Sequence, residues 1–285
     1  MSAAWPTAEA HAPSLAGLVE LARRARRVLA REDEAVAIRT ACEAARVRVA
    51  SRALTVGRNR HTAMLVPTEA GFTALVDCEL WDRAASAEAA RKHLRFVLAH
   101  ELAHTFFYRP GTPPSRTSAP DDAEERFCNG FATFLLVPSD AASRAPLDPG
   151  GLHALAGRFD VSRRVAAWAI IRARPGISIL EFRRGEHPQG GREAMRLQWG
   201  ASPHFLARGE SLKSPLADLA PGEHGSCSQR LRLGGRDHDV DLEAWRHASS
   251  LFVFASHRQT RASAASTCLS PACQSPAGRA LTLFP

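Results

Sequence analysis

The run His100-Glu101-Leu102-Ala103-His104 constrains this chain more than any other stretch. Two histidines four apart on a helix project from one face, one turn from each other. Both can bind a single metal ion, and the glutamate beside the first can take a proton from a water at that ion. The HExxH pattern means this only on a helix, and the preceding residues supply one. Ala89 to Ala99 contains neither Gly nor Pro, Ser86 is the expected cap, and Glu88 places an acid in the first turn. Leu94, Leu98, Leu102 and Phe106 form one stripe at helical spacing, and Val97, His100, His104 and Tyr108 form another. A helix apolar on both sides of a histidine pair is buried. Its imidazoles then need partners, which are either a metal or backbone carbonyls.

A catalytic zinc site takes three protein ligands and leaves one position open. After a polar, Pro-rich connection from Arg109 to Pro120, residues 121–138 read as a second helix, acidic at its start and ended by Pro138. Glu125, Cys128 and Asn129 share a face of it. Glu125 is placed to reach the zinc, and Asn129, one turn later, to hold a histidine ligand. Phe127, Phe131, Phe134 and Leu135 supply core contacts. The plain alternative for Glu124 and Glu125 is an ordinary acidic helix start.

Three stretches together resemble the ImmA/IrrE metallo-endopeptidases, the IrrE N-terminal-like domain. Phe96 to His104 resembles that family's F-x-x-A-H-E-L-x-H, Glu125 to Pro138 its E-x-x-A-N-x-F-A-x-x-L-L-x-P, and Leu155 to Ser162 its LA-x-x-F-x-V-S. The resemblance covers roughly residues 45 to 172. It implies zinc ligation by His100, His104 and Glu125, with Glu101 as general base. It also implies an α+β fold: a zincin-like, gluzincin-type peptidase domain with a small mixed sheet. The chain departs from the pattern at Cys128, where the family usually has alanine. A small buried thiol fits there, and one turn from a ligand it can compete for metal.

Composition excludes little. Hydrophobic residues at 45% and charged residues at 23% are ordinary for a globular chain of 285 residues. No apolar run approaches the roughly 20 residues that span a bilayer. Met1 to Ala16 lacks the basic start and apolar core of a secretory signal, so a cytoplasmic location is expected. Net charge is +8, carried almost wholly by arginine, with Lys92 and Lys213 the only lysines. That skew points to base composition more than to nucleic-acid contact, so DNA is open as a partner but not favoured. Cys227, Cys268 and Cys273, with His224, fit no zinc-finger spacing well.

The expected layout is a disordered 1–12, a peptidase domain over 13–145, a helix-turn-helix-like segment over 146–175, a C-terminal β-rich or α+β module over 176–258, and a disordered tail over 259–285. Ser14 to about Ala45 reads as one amphipathic helix. Residues 46–50, 62–66 and 72–76 read as strands, as do 177–182, 195–199, the neighbourhood of Leu231 and Leu233, and 251–254. Some relatives carry a GAF-like module after the helical segment, an analogy with no motif here to specify it. In 151–172, Ser162 should cap the second helix, with Arg163 and Arg164 near its start. Packing on the peptidase is preferred over DNA binding for this pair.

Two functions fit these features. One is a zinc endopeptidase acting on a cytosolic regulator, which the resemblance makes a helix-turn-helix repressor in a stress or mobile-element response. The other is a DNA-binding transcription regulator with a structural or sensory zinc. Glu101 favours the enzyme, because a structural site has no use for it. Tyr108, His153, His204 and His224 are candidates for an oxyanion partner.

Overall fold

The structure is a computed structural model that describes residue 5 and residues 14–29, 34–56, 59–112, 122–185, 194–202, 215–233, 236–247 and 249–257. It is a mixed α+β arrangement of two helices, a small sheet, a helical layer and a second sheet. The order begins with α1 (Leu15–Val28), α2 (Ile38–Ala44), β1 (Val47–Arg52), β2 (Thr55–Val56), β3 (Asn59–Arg60), β4 (Ala63–Thr68) and β5 (Gly71–Asp77). Helices α3 (Cys78–Ser86), α4 (Glu88–His104), α5 (Asp122–Leu136), α6 (Ser139–Arg144), α7 (Pro149–Arg158) and α8 (Arg163–Ala173) follow. Strands β6 (Ile177–Gly185), β7 (Ala194–Ala201), β8 (His224–Leu233), β9 (Arg236–His247) and β10 (Ser250–His257) complete it, with a short 3-10 turn at Pro215–Asp218.

The first sheet has the order β1-β5-β4, with β1 parallel and β4 antiparallel to β5. The β4–β5 turn closes on Gly71 at φ +149, where a Cβ would lie 2.7 Å from the Arg46 carbonyl oxygen, so only glycine fits. Asp77 N–H donates to the Thr62 carbonyl at 2.9 Å, which sets the alternation of the pair. The backbone groups of Ala63, Leu65 and Pro67 therefore face away from β5. Pro67 has no N–H to lose there, which is where an edge strand tolerates proline.

Helix α4 lies against β4, β5 and α5. Ala99, Leu102 and Ala103 on α4 are fully buried, as are Phe131, Ala132 and Leu135 on α5. Phe106 packs edge-on to Phe131 with centroids 4.9 Å apart, closing one end of the interface. Helix α1 crosses α5 at Gly130, where a Cβ would lie 2.5 Å from Leu18 Cδ2. Buried Arg26 of α1 donates to the Leu135 carbonyl at 2.5 Å and the Glu34 carbonyl at 2.6 Å. It thereby satisfies the end of α5 and favours its negative dipole end.

Helices α7 and α8 form a packed pair. Ser162 accepts from Val165 N–H at 3.2 Å and caps α8 as expected. Val165, Ala166, Ala167, Ala169, Ile170 and Ile171 are buried, and α8 packs against α5, α6, α7, β6 and β7. A recognition helix needs a free face to enter a groove, and most of α8 is committed to the core. The α7–α8 turn passes through Asp160 at φ +48, and Arg95 of α4 holds it there. Arg95 donates to the carbonyls of Asp160 at 2.9 Å, Val36 at 3.1 Å and Phe159 at 3.3 Å, and pairs with the Asp160 carboxylate.

The second sheet is antiparallel throughout, in the order β7-β6-β10-β9-β8. Ile179, Ala201, Phe252 and Phe254 join the main core, so that core runs across the boundary expected near residue 175. Leu180, Phe182, Leu197, Leu242, Leu251 and Val253 make a second core on the other face. Buried Glu181 accepts from Ser250 Oγ at 2.9 Å and from Trp199 Nε1, and the Arg163 guanidinium of α8 lies 3.9 Å away.

Several expectations need correction. The single helix from Ser14 to Ala45 is two helices, α1 and α2, with residues 30–33 outside the described residues. Ser86 does not cap α4. It is the last residue of α3, its hydroxyl turns back to the Arg83 carbonyl at 3.5 Å, and α4 starts after Ala87 without a side-chain cap. Strand β9 was not foreseen. Residues 1–4, 6–13, 113–121, 203–214 and 258–285 are among those outside the described residues, and with them His204, Cys268, Cys273 and the two segments read as disordered, apart from Trp5.

Arg95→Ala should lower stability by about 2–4 kcal/mol, because it leaves buried carbonyls unpaired. Arg91, which is 54% exposed at 3.6 Å from Asp160, should cost under about 1 kcal/mol when replaced by alanine. Chemical denaturation of the two variants checks this, and equal losses would contradict the assignment.

Candidate metal centre

Helix α4 sets His100 and His104 one turn apart, and α5 faces them with two pairs at i, i+4: Glu124 with Cys128, and Glu125 with Asn129. One member of each pair holds one histidine ring by its Nδ1. His100 Nδ1 lies 3.2 Å from Asn129 Oδ1, and His104 Nδ1 lies 2.6 Å from Glu124 Oε1. Both partners accept, so the protons belong on Nδ1, and both Nε2 lone pairs face the opposite way. They face each other, at 3.2 Å.

Two imidazole lone pairs at that distance repel unless a cation lies between them. The Glu125 carboxylate closes the same point, 3.3 Å from His100 Nε2 and 3.8 Å from His104 Nε2. Donors about 2.0–2.1 Å from a tetrahedral zinc stand about 3.3–3.4 Å apart. The Nε2 pair and the contact of His100 Nε2 with Glu125 Oε2 match that spacing, while His104 Nε2 faces the other oxygen, Oε1, at the longer distance. The donor set therefore fits a divalent ion of zinc's size and ligand preference.

Glu101, adjacent to both histidines on α4, reaches toward the first sheet. It is buried and accepts from the outward-facing Leu65 N–H of β4. Burial pushes its carboxyl above the usual range, against the neighbouring His104 and His100. For His100, burial lowers the pKa. The hydrogen bond to Glu125 and the charges of Glu101 and Glu125, with Asn129, more than reverse it, so the net direction is up.

The ring planes are held as well. Tyr108 stacks on His104 with centroids 5.6 Å apart and planes within 5°, so its ring packs on the site wall. Thr133 Oγ1 donates to the Asn129 carbonyl at 2.7 Å, and Arg172 of α8 donates to Thr133 Oγ1 at 2.7 Å. Burial brings Arg172 down to about 10. Of the other histidines considered for the oxyanion, His153 is exposed on α7, and His224 stacks on Trp245 at 4.5 Å on the second sheet.

Glu124 is the residue that sequence reasoning missed. It is 6% exposed, against 35% for the Glu125 side chain. A buried acid at a helix start is not a solvated dipole partner. The available signal was its spacing to Cys128, the same as that of Glu125 to Asn129. Cys128 offers a rival donor set: one donor atom each from His100, His104 and Cys128 lies within 4.8 Å of the others. Its Sγ sits 3.5 Å from His104 Nδ1, the nitrogen already bonded to Glu124. Both Nε2 atoms converge with Glu125, whereas the thiol lies at the Nδ1 edge of His104.

Glu124→Ala should weaken zinc binding about 10–100-fold by releasing the His104 ring. Glu125→Ala should weaken it further. Competition with a chromophoric chelator measures both, and an unchanged affinity in Glu124→Ala would contradict the orienting role.

Residues 85–170 match the family model of the IrrE N-terminal-like domain, a metallopeptidase family. No curated protein matches the chain. The matched stretch runs from the end of α3 into α8 and contains both histidines, Glu101, Glu124, Glu125, Cys128 and Asn129. Over residues 85–170 the chain is similar to the IrrE N-terminal-like domain of the ImmA/IrrE family.

Proposed function

We propose that this chain is a zinc-dependent endopeptidase that cleaves an extended segment of a cytoplasmic regulatory protein. The observation that carries the reading is the convergence of His100 Nε2, His104 Nε2 and Glu125 beside a buried Glu101 that touches the edge of β4. His100, His104 and Glu125 would hold the zinc, which when bound supplies Lewis acidity to a scissile carbonyl and acidifies a water. Asn129 and Glu124 keep the two rings oriented for that ligation.

Glu101 does the proton work. Its carboxylate accepts a proton from the attacking water and returns it to the leaving amine nitrogen. The Leu65 N–H holds the carboxylate beside the strand, so the base lies next to the sheet edge. Along that edge the outward carbonyls of Ala63 and Pro67 can receive N–H groups from an extended peptide. A site of this form takes extended segments, which folded domains seldom expose. The family resemblance makes a helix-turn-helix repressor, cleaved in a linker during a stress or mobile-element response, the expected substrate.

A DNA-binding regulator with a structural zinc is the second reading, favoured only by Cys128 as a fourth donor for a closed site. It leaves Glu101 without a task. Among the described residues no helix is long and apolar enough to cross a membrane.

Glu101→Gln should keep zinc and fold while cleavage falls about 10²–10⁴-fold. His104→Ala should lose stoichiometric zinc. Mapping new protein N-termini in cells expressing wild type or Glu101→Gln checks the substrate class. Cleavage confined to a regulator is expected, and broad degradation of general proteins would favour a housekeeping peptidase.

A further inference from the structure

We propose that Arg246 forms a binding site for a small monocarboxylic acid, on the face of the second sheet that turns away from the main core. The site is separate from the metal centre and does not rest on that reading. Along β9, Val240, Leu242, Ala244 and Arg246 alternate onto one face, and the first three belong to the second core. Arg246 is buried with them, at 5% exposure. Its Nη1 donates to Met195 Sδ of β7 at 2.9 Å, so the side chain runs over β10 and β6, the two strands between. A thioether sulfur is only a weak acceptor. Among the described residues, the buried Arg246 Nε meets no acceptor at all.

A buried guanidinium is costly unless carbonyls or a carboxylate meet it. Arg26 and Arg95 follow that rule, the first on backbone carbonyls and the second on carbonyls and Asp160. Arg246 does not. Among the described strand residues, the registers place no acidic side chain on its face. Buried Glu181 lies on the opposite face, with Ser250 and Trp199. Glu223, whose carbonyl accepts from Arg246 N–H at 2.9 Å, turns its own carboxylate to the Ala220 N–H at 2.7 Å. Burial, with the like charge of Arg184 on β6, holds the Arg246 guanidinium below the usual arginine range. A bound anion relieves both effects. The Nε–H and Nη–H edge of a guanidinium presents two parallel donors, which serve both oxygens of a planar carboxylate. A phosphate would leave its other oxygens against Met195, Phe182 and Leu251, which donate nothing. Those same side chains suit the hydrocarbon part of an organic acid. Arg184, exposed and paired with Met195 in the register, attracts anions to this end of the sheet.

The test is titration of the full-length protein with hexanoate, with hexanol as the tail without the charge and inorganic phosphate as the charge without the tail. Arginine Nε–H resonances are followed by NMR, and the resonance missing from Arg246→Met is that of Arg246. Hexanoate should shift this resonance saturably, and hexanol and phosphate should leave it in place. Calorimetric titration should show hexanoate affinity falling about tenfold or more in Arg246→Met. A resonance that hexanoate does not move overturns the site. Equal affinity in wild type and Arg246→Met overturns the role of the guanidinium. Phosphate bound more tightly than hexanoate overturns the carboxylate assignment. Arg246→Lys also lacks the Nε–H and keeps the charge, so it supplies the same assignment and comparison if Arg246→Met fails to fold.

Discussion

The interface between α4 and α5 decides what this molecule can do. Two imidazoles on one helix have no reason to aim at a common point unless their far edges are held. Here Asn129 holds one Nδ1 and Glu124 the other, and both Nε2 atoms are left facing a single position. The rest of the structure keeps those two helices in register. Leu18 packs where Gly130 has no side chain, Arg26 ties off the end of α5, and Arg95 fastens the α7–α8 turn to α4.

The same interface relates the site to the elements around it. Glu101 leaves α4 toward β4 and binds the strand's outward N–H, so the proposed base is built into the edge where a peptide would lie. On the far side, Arg172 reaches from α8 through Thr133 to the Asn129 carbonyl. Helix α8 in turn carries the second sheet on its other flank, with Arg163 beside buried Glu181 and its guanidinium 5.1 Å above the Phe252 ring. A continuous packed path therefore joins the C-terminal sheet to the metal centre.

Much of the site was legible in the sequence because helical spacing is a strong signal. The HExxH pair, the start of α5, and Glu125 with Asn129 one turn on all follow from periodicity, as do β1, β4 and β5. What was missed depended on packing. Glu124 reads like a solvated acid, and only its burial against His104 gives it a task. Ser86 has the identity of a cap, but α3 runs up to it and claims its hydroxyl. Strand β9 does alternate, with Val240, Leu242 and Ala244 inward, yet the charges between them mask the pattern in a short window. Which strand forms the free edge is a matter of topology that no local pattern encodes.

The central claim is that zinc sits between the two Nε2 atoms and Glu125. X-ray absorption at the zinc edge of protein loaded with one equivalent tests it most directly. The account predicts two imidazoles and a carboxylate, with nitrogen and oxygen donors at about 2.0–2.1 Å and no sulfur. A zinc–sulfur distance of about 2.3 Å, or fewer than two imidazoles, would contradict it.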